Sequence, residues 1–255
     1  MPNIQVDAQH RANNGRLSWA GPLLLLIARP AFAIAAQAVV AGVFYFRGEA
    51  KPWLSAAPWW TVYGTLIDIG CLLALTYLMR QERGDLHDLV GLQPERLRRD
   101  ILLGLAYALG ILPFGILGGF IGTVLIYGSA QAPIPIGPLP LLGALYSLLI
   151  WPTIWAVAEE LTYLGYALPR LEALTGRTWI ALLVVVLFWS VQHGAMPLRL
   201  DLRFMLWRSI TPLPAMLIVV VIFIRTRRLL PLIVAHWVAD AASVLILVVL
   251  PLLRR

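Results

Sequence analysis

From Leu17 to Leu250 the sequence is a succession of long apolar runs, separated by short arginine-rich or proline-rich stretches. A run of about 20 apolar residues is what one helix needs to cross the hydrocarbon layer of a bilayer. In such a layer every backbone polar group must be satisfied within the protein, which restricts spanning segments to helices or closed barrels. A barrel would alternate apolar and polar residues over segments of roughly ten residues, and these runs do not alternate. Composition agrees: of 255 residues 60% are hydrophobic and 13% charged, against about 45–50% and about 25% in soluble domains. The expected fold is therefore all-α, a polytopic bundle of membrane helices. Disordered, collagen-like and disulfide-rich classes are excluded by the same figures.

Seven candidate spans can be drawn at 20–46, 58–79, 101–127, 140–166, 179–193, 209–224 and 230–250. The fifth is short, and 194–208 could form a re-entrant or surface segment, so six or eight spans also fit. Ala31-Phe32-Ala33 resembles a signal cleavage site, but Arg29-Pro30 interrupts the apolar core and apolar character continues to Phe46. A retained first helix is expected. The loops are short, so 1–255 reads as a single membrane domain.

The net charge is +7, and nineteen of the twenty basic residues are arginine. They cluster between the apolar runs, as residues marking cytoplasmic loops do, and need no nucleic-acid partner. Residues 80–100 carry Arg80, Arg83, Arg96, Arg98 and Arg99, whereas 128–139 carries no charge. Placing 80–100 inside puts the N-terminus, 167–178 and 225–229 on that side too. The expected setting is a bacterial or archaeal cell membrane with a cytoplasmic N-terminus.

Ionisable groups in membrane spans are costly and usually face a bundle interior or a wet cavity. Here they are Arg29, Asp68, Glu159, Glu160, His193, His236 and Asp240. With a rise of ~1.5 Å per residue, Glu159 lies about 16 Å from the arginine-rich end, His193 about 21 Å, His236 about 10 Å and Asp240 about 16 Å. The four share one layer. His236 and Asp240 are four residues apart, as are Trp189 and His193, so each pair shares a helix face. Glu159 and Glu160 are adjacent and point about 100° apart, which predicts separate jobs. His10 and His87 lie in polar segments and read as solvated; Cys71, alone in the chain, reads as a small buried hydrophobe.

Ala158-Glu159-Glu160-Leu161-Thr162-Tyr163-Leu164-Gly165 resembles the first motif of the CAAX prenyl protease and bacteriocin-processing family, also called the CPBP or Abi family. Phe188-Trp189-Ser190-Val191-Gln192-His193 is similar to its second motif, and His236-Trp237-Val238-Ala239-Asp240 to its third. The resemblance covers about residues 100–250. It implies an intramembrane endopeptidase acting on a peptide or protein in the bilayer. Carried over by position, Glu159 would be the general base that activates water, and His193 and His236 would hold that water or a metal. Asp240 would stand beside the scissile carbonyl, and Glu160 would support the others. Glu159, His193 and His236 could together hold zinc with an open position for water, and a metal-free Glu/His-bound water would also serve. One departure is that the family's arginine in the first motif is Leu164 here. An uncompensated carboxylate at Glu160 would be costly, so it should be neutral or borrow a cation from another helix.

Two other readings fit the same residues. Interhelical polar contacts could make this an inactive family member acting as a membrane scaffold. A proton-coupled transporter could use Asp68, Glu159, Glu160 and Asp240 as a relay, although no inverted repeat is visible. The remaining features read as structure. Gly115, Gly118, Gly119 and Gly122 suggest a close helix contact, Arg29 is the candidate partner for Asp68, and Pro152 should bend or loosen its helix. Trp53, Trp59, Trp60 and Trp179 read as interfacial anchors, and Gln131–Pro140, with four prolines, as a loop.

Overall fold

The computed structural model describes residues 4–131 and 139–253, so most of the proline-rich 131–140 stretch lies outside the described residues. Among the described residues the chain is predominantly helical, without a strand element. The helices are α1 (Ile4–Asn13), α2 (Ala20–Phe46), α3 (Pro52–Ala56), α4 (Trp60–Gln81), α5 (Leu86–Val90), α6 (Leu97–Tyr127) and α7 (Leu141–Leu149). They continue as α8 (Trp151–Glu160), α9 (Leu168–Thr175), α10 (Thr178–Gln192), α11 (Leu202–Ile210), α12 (Leu213–Thr226), α13 (Leu230–Val244) and α14 (Leu250–Leu253).

Six helical stretches are long and apolar enough to span a bilayer: Ala20–Phe46, Pro52–Gln81, Leu86–Tyr127, Leu141–Thr175, Leu202–Thr226 and Leu230–Leu253. α10, the seventh apolar helix, has 15 residues; at ~1.5 Å per residue it is about 22 Å long, short of the ~30 Å hydrocarbon thickness. The protein is thus a polytopic integral membrane bundle. Leu109, Ile116 and Phe120 of α6 are exposed, an outward apolar face that suits lipid and not water. The 194–208 stretch resolves into a turn and loop followed by α11, which is the first part of the fifth of these six stretches, Leu202–Thr226.

Ion pairs gather the arginine-rich segments at one end of the bundle. Arg11 of α1 and Arg170 of α9 both reach Glu82 at the end of α4. Arg227 meets Glu172 at 2.8 Å, and Arg228 pairs with Asp100. This unites the N-terminus with 80–100, 167–178 and 225–229, as the loop charges predicted.

The fourth span is broken where a proline requires it. α7 ends at Leu149, and Pro152 occupies the first turn of α8, where its missing N–H costs nothing. Immediately after Glu160 the helix widens to a π-helix over Leu161–Ala167, a form that is rare and frequent at functional sites.

Of Gly115, Gly118, Gly119 and Gly122 in α6, one register is used. A Cβ on Gly118 would collide with the Thr211 carbonyl oxygen, and one on Gly122 would lie 2.8 Å from Thr211 Cγ2. Gly115 and Gly119 have nothing within 4 Å. Gly118→Ala is therefore expected to force α6 from the α11–α12 junction and lower the melting temperature in detergent. Gly119→Ala should melt at or above wild type, since alanine is favoured in a helix by about 0.5–1 kcal/mol. Equal melting of the two variants would remove the contact from the account.

Trp60 corrects the expectation of an interfacial anchor. It is buried, with its ring 5.0 Å from Trp151 and 5.7 Å from Trp155. A large aromatic gains more from such packing than from the interface. Trp179 is exposed as expected, and Cys71 is buried.

Candidate active site

Glu159 is fully buried near the end of α8 and accepts hydrogen bonds from three sides. The Trp189 indole N–H donates to Oε2 at 2.8 Å, and the Gln192 amide donates to Oε1 at 2.7 Å. Arg29 Nε donates to the same Oε1 at 3.2 Å, with its terminal nitrogen also 3.2 Å away. Arg29 comes from α2, is fully buried, and lies 2.9 Å from Asp68 Oδ1 of α4. The guanidinium also sits 4.3 Å over the Trp155 ring. An isolated charge at this depth would be very costly; here each charge has an opposite neighbour. The Arg29–Asp68 pairing expected from the sequence is present.

Glu160 takes a different path. Its Oε1 lies 3.1 Å from His236 Nδ1, so the imidazole N–H donates there and Nε2 turns the other way. Nε2 is 3.6 Å from Glu159 Oε2 and 3.4 Å from Asp240 Oδ2. The adjacent glutamates thus meet at opposite edges of one imidazole, although their Cα–Cβ directions diverge, because each side chain is long enough to reach round the ring. The borrowed partner of Glu160 is His236, and Arg29 goes to Glu159.

His193 caps the end of α10 and holds its Nδ1 2.8 Å from the Trp189 carbonyl oxygen. The carbonyl only accepts, so Nδ1 carries the hydrogen and Nε2 keeps its lone pair in the neutral ring. A cavity of about 400 Å³ is lined by Glu160, His193, His236 and Asp240, with apolar walls from α6, α12 and α13. Glu160 Oε2 and Asp240 Oδ2 are buried without hydrogen-bond partners. Glu159 stands behind this lining and reaches it through His236.

A metal fits this arrangement poorly. Among the described residues no group of three His, Cys, Asp or Glu side chains is arranged to hold an ion. Both Glu159 oxygens face N–H donors, one of them a guanidinium that would repel a cation at the same place. The set Glu159, His193 and His236, considered for zinc, is therefore not assembled as ligands in this geometry.

All five site residues expected from the sequence come together: Glu159, Glu160, His193, His236 and Asp240. Sequence reasoning missed that Arg29 and Gln192 bind Glu159, and that Tyr163 supports them. The Tyr163 ring stacks on Trp189 at 4.9 Å, and its O–H donates to Gln192 Oε1 at 2.8 Å. The available signal was Gln192 itself, an amide in an otherwise apolar span, which must find partners there.

Fold and site together define a helical membrane protein with a Glu/His/Asp centre inside the bundle. Residues 140–242 match the family model described as type II CAAX prenyl endopeptidase Rce1-like. The match encloses all three motifs, and the family is one of membrane proteases. No curated protein and no solved structure matches the chain.

Proposed function

We propose that this protein is an intramembrane endopeptidase that hydrolyses a peptide bond with a water activated by glutamate and histidine, without a metal. The observation that carries the reading is one cavity, inside a membrane bundle, lined by two imidazoles and two carboxylates. Peptide hydrolysis needs a base, a positioned water and a donor for the tetrahedral oxyanion. Glu159 Oε2 acts as the base through His236, whose Nε2 lies 3.6 Å from it and receives the proton of the attacking water, and the Nε2 lone pair of His193 helps to hold that water. Oxygen adds to the scissile carbonyl carbon, the protonated Nε2 of His236 donates a hydrogen bond to the oxyanion, and that proton then passes to the amine nitrogen as the oxyanion collapses and the C–N bond breaks. Asp240 lies beside the carbonyl, and Glu160 fixes the ring of His236 through Nδ1. The substrate is a peptide or protein whose scissile bond enters the bilayer, of CAAX or leader-peptide type. The paired arginine-rich end, with the N-terminus, faces the cytoplasm of a bacterial or archaeal cell.

A second assignment of the base has its own support: Glu160 lines the cavity with a bare oxygen, whereas every Glu159 oxygen already has a donor. Glu159→Gln and Glu160→Gln variants, assayed side by side, separate the two. The reading itself is tested with the full chain in liposomes, offered membrane-inserted peptides with and without a prenylated cysteine near the C-terminus. Mass spectrometry should find a product from wild type and none from His236→Ala. No product from wild type across the set would leave the inactive scaffold as the better account.

A further inference from the structure

We infer that Arg29, held by Asp68, is a positioning residue for Glu159, delivered to the site by the α2–α4 hairpin. The inference rests on the peptidase reading and adds two residues to its machinery. Both lie outside the family-matching segment 140–242.

Leu164 is fully buried and belongs to the same apolar cluster as Leu25 and Leu26 of α2 and Leu75 and Met79 of α4. Arg29 stands one helical turn beyond Leu25, on the same face, so the helix that packs in this cluster also delivers the charge. Its Nε and a terminal nitrogen both reach Glu159 Oε1. Gln192 takes that oxygen as well. Oε2 is left with the Trp189 indole and faces His236 Nε2. The ion pair therefore fixes which oxygen of Glu159 is turned toward the imidazole.

Asp68 explains why an arginine can be kept there. Its Oδ1 lies 2.9 Å from the terminal nitrogen of Arg29, and Trp155 covers the guanidinium plane. With Asp68 on one side and Glu159 on the other, the planar fork has one orientation. A simple helix staple would need one carboxylate; the second aims the group at the site.

The test uses the full chain and the peptide assay above. Arg29→Gln should lower kcat by about 100-fold with KM within about threefold, the pattern of a lost transition-state interaction. Arg29→Lys should recover part of the rate, because it restores charge without the fork. Asp68→Asn should lower kcat by about tenfold, since the fork survives but loses its second anchor. A kcat for Arg29→Gln within threefold of wild type would overturn the inference.

Melting of Arg29→Gln, Glu159→Gln and the double variant reports on the pairing without any activity. The double variant should melt above Arg29→Gln alone, because it leaves one buried carboxylate, Asp68, without its cation where Arg29→Gln leaves two. Strictly additive losses would also overturn the inference. If wild type cleaves nothing, the peptidase reading fails, while the melting cycle still decides whether Arg29 holds Glu159.

Discussion

Glu159→Gln is expected to reduce peptide cleavage by about 10²–10⁴-fold, the usual cost of losing a general base. The protein should still fold, because Asp68 remains to compensate Arg29 at 2.9 Å. Some stability is lost nonetheless. An amide offers one acceptor where the carboxylate has two; with its oxygen toward Arg29 and Gln192, its nitrogen faces the Trp189 N–H. That donor, now unpaired and buried, costs about 1–3 kcal/mol. Initial rates and melting curves on the same preparations check both halves of the prediction. Glu160→Gln is the contrast. Its oxygen can still accept from His236 Nδ1, so a supporting role predicts a loss well short of the Glu159 variant. A Glu160→Gln protein as inactive as the His236→Ala blank, beside an active Glu159→Gln protein, would transfer the base to Glu160.

The fold was legible because a membrane leaves so few choices. Runs of apolar residues near twenty long name their own helices, and the arginine clusters named the segments that share one end. The site was legible for a related reason. Polar groups at membrane depth are costly enough that Glu159, Glu160, His193, His236 and Asp240 stood out, and rise per residue placed Glu159, His193, His236 and Asp240 in one layer. What spacing could not provide was rotational pairing between helices. Arg29 and Glu159 are 130 positions apart, and no local rule says which carboxylate an arginine on another helix will choose. The same limit hid Trp60, whose place near a span end suggested the interface while its neighbours Trp151 and Trp155 made it core. Gly115, Gly118, Gly119 and Gly122 signalled a contact, yet of these four only Gly118 and Gly122 are used, because Thr211 approaches their face.

The largest stability loss is expected away from the cavity, at Glu82. Its carboxylate accepts from Arg170 Nε at 3.0 Å and from an Arg170 terminal nitrogen at 2.6 Å. It also accepts the Tyr166 O–H at 2.7 Å and Arg11 at 3.3 Å. Glu82, Arg11 and Arg170 are all buried. Glu82→Ala strands the Arg170 guanidinium, and breaking a buried pair by deleting one partner costs about 3–5 kcal/mol. The double variant Glu82→Ala/Arg170→Leu should melt above Glu82→Ala, since it removes the stranded charge as well. The consequence reaches the site along one piece of chain. Arg170 lies on α9, which continues the π-helix that begins just after Glu160. Freeing α9 from α4 loosens the segment that seats both glutamates, so activity in Glu82→Ala should decline together with the melting temperature and recover partly in the double variant. Thermal denaturation in detergent with parallel rate measurements reads both. Melting of Glu82→Ala within about one degree of wild type, where a loss of this size should shift it by several degrees, would mean that the cluster adds nothing to stability.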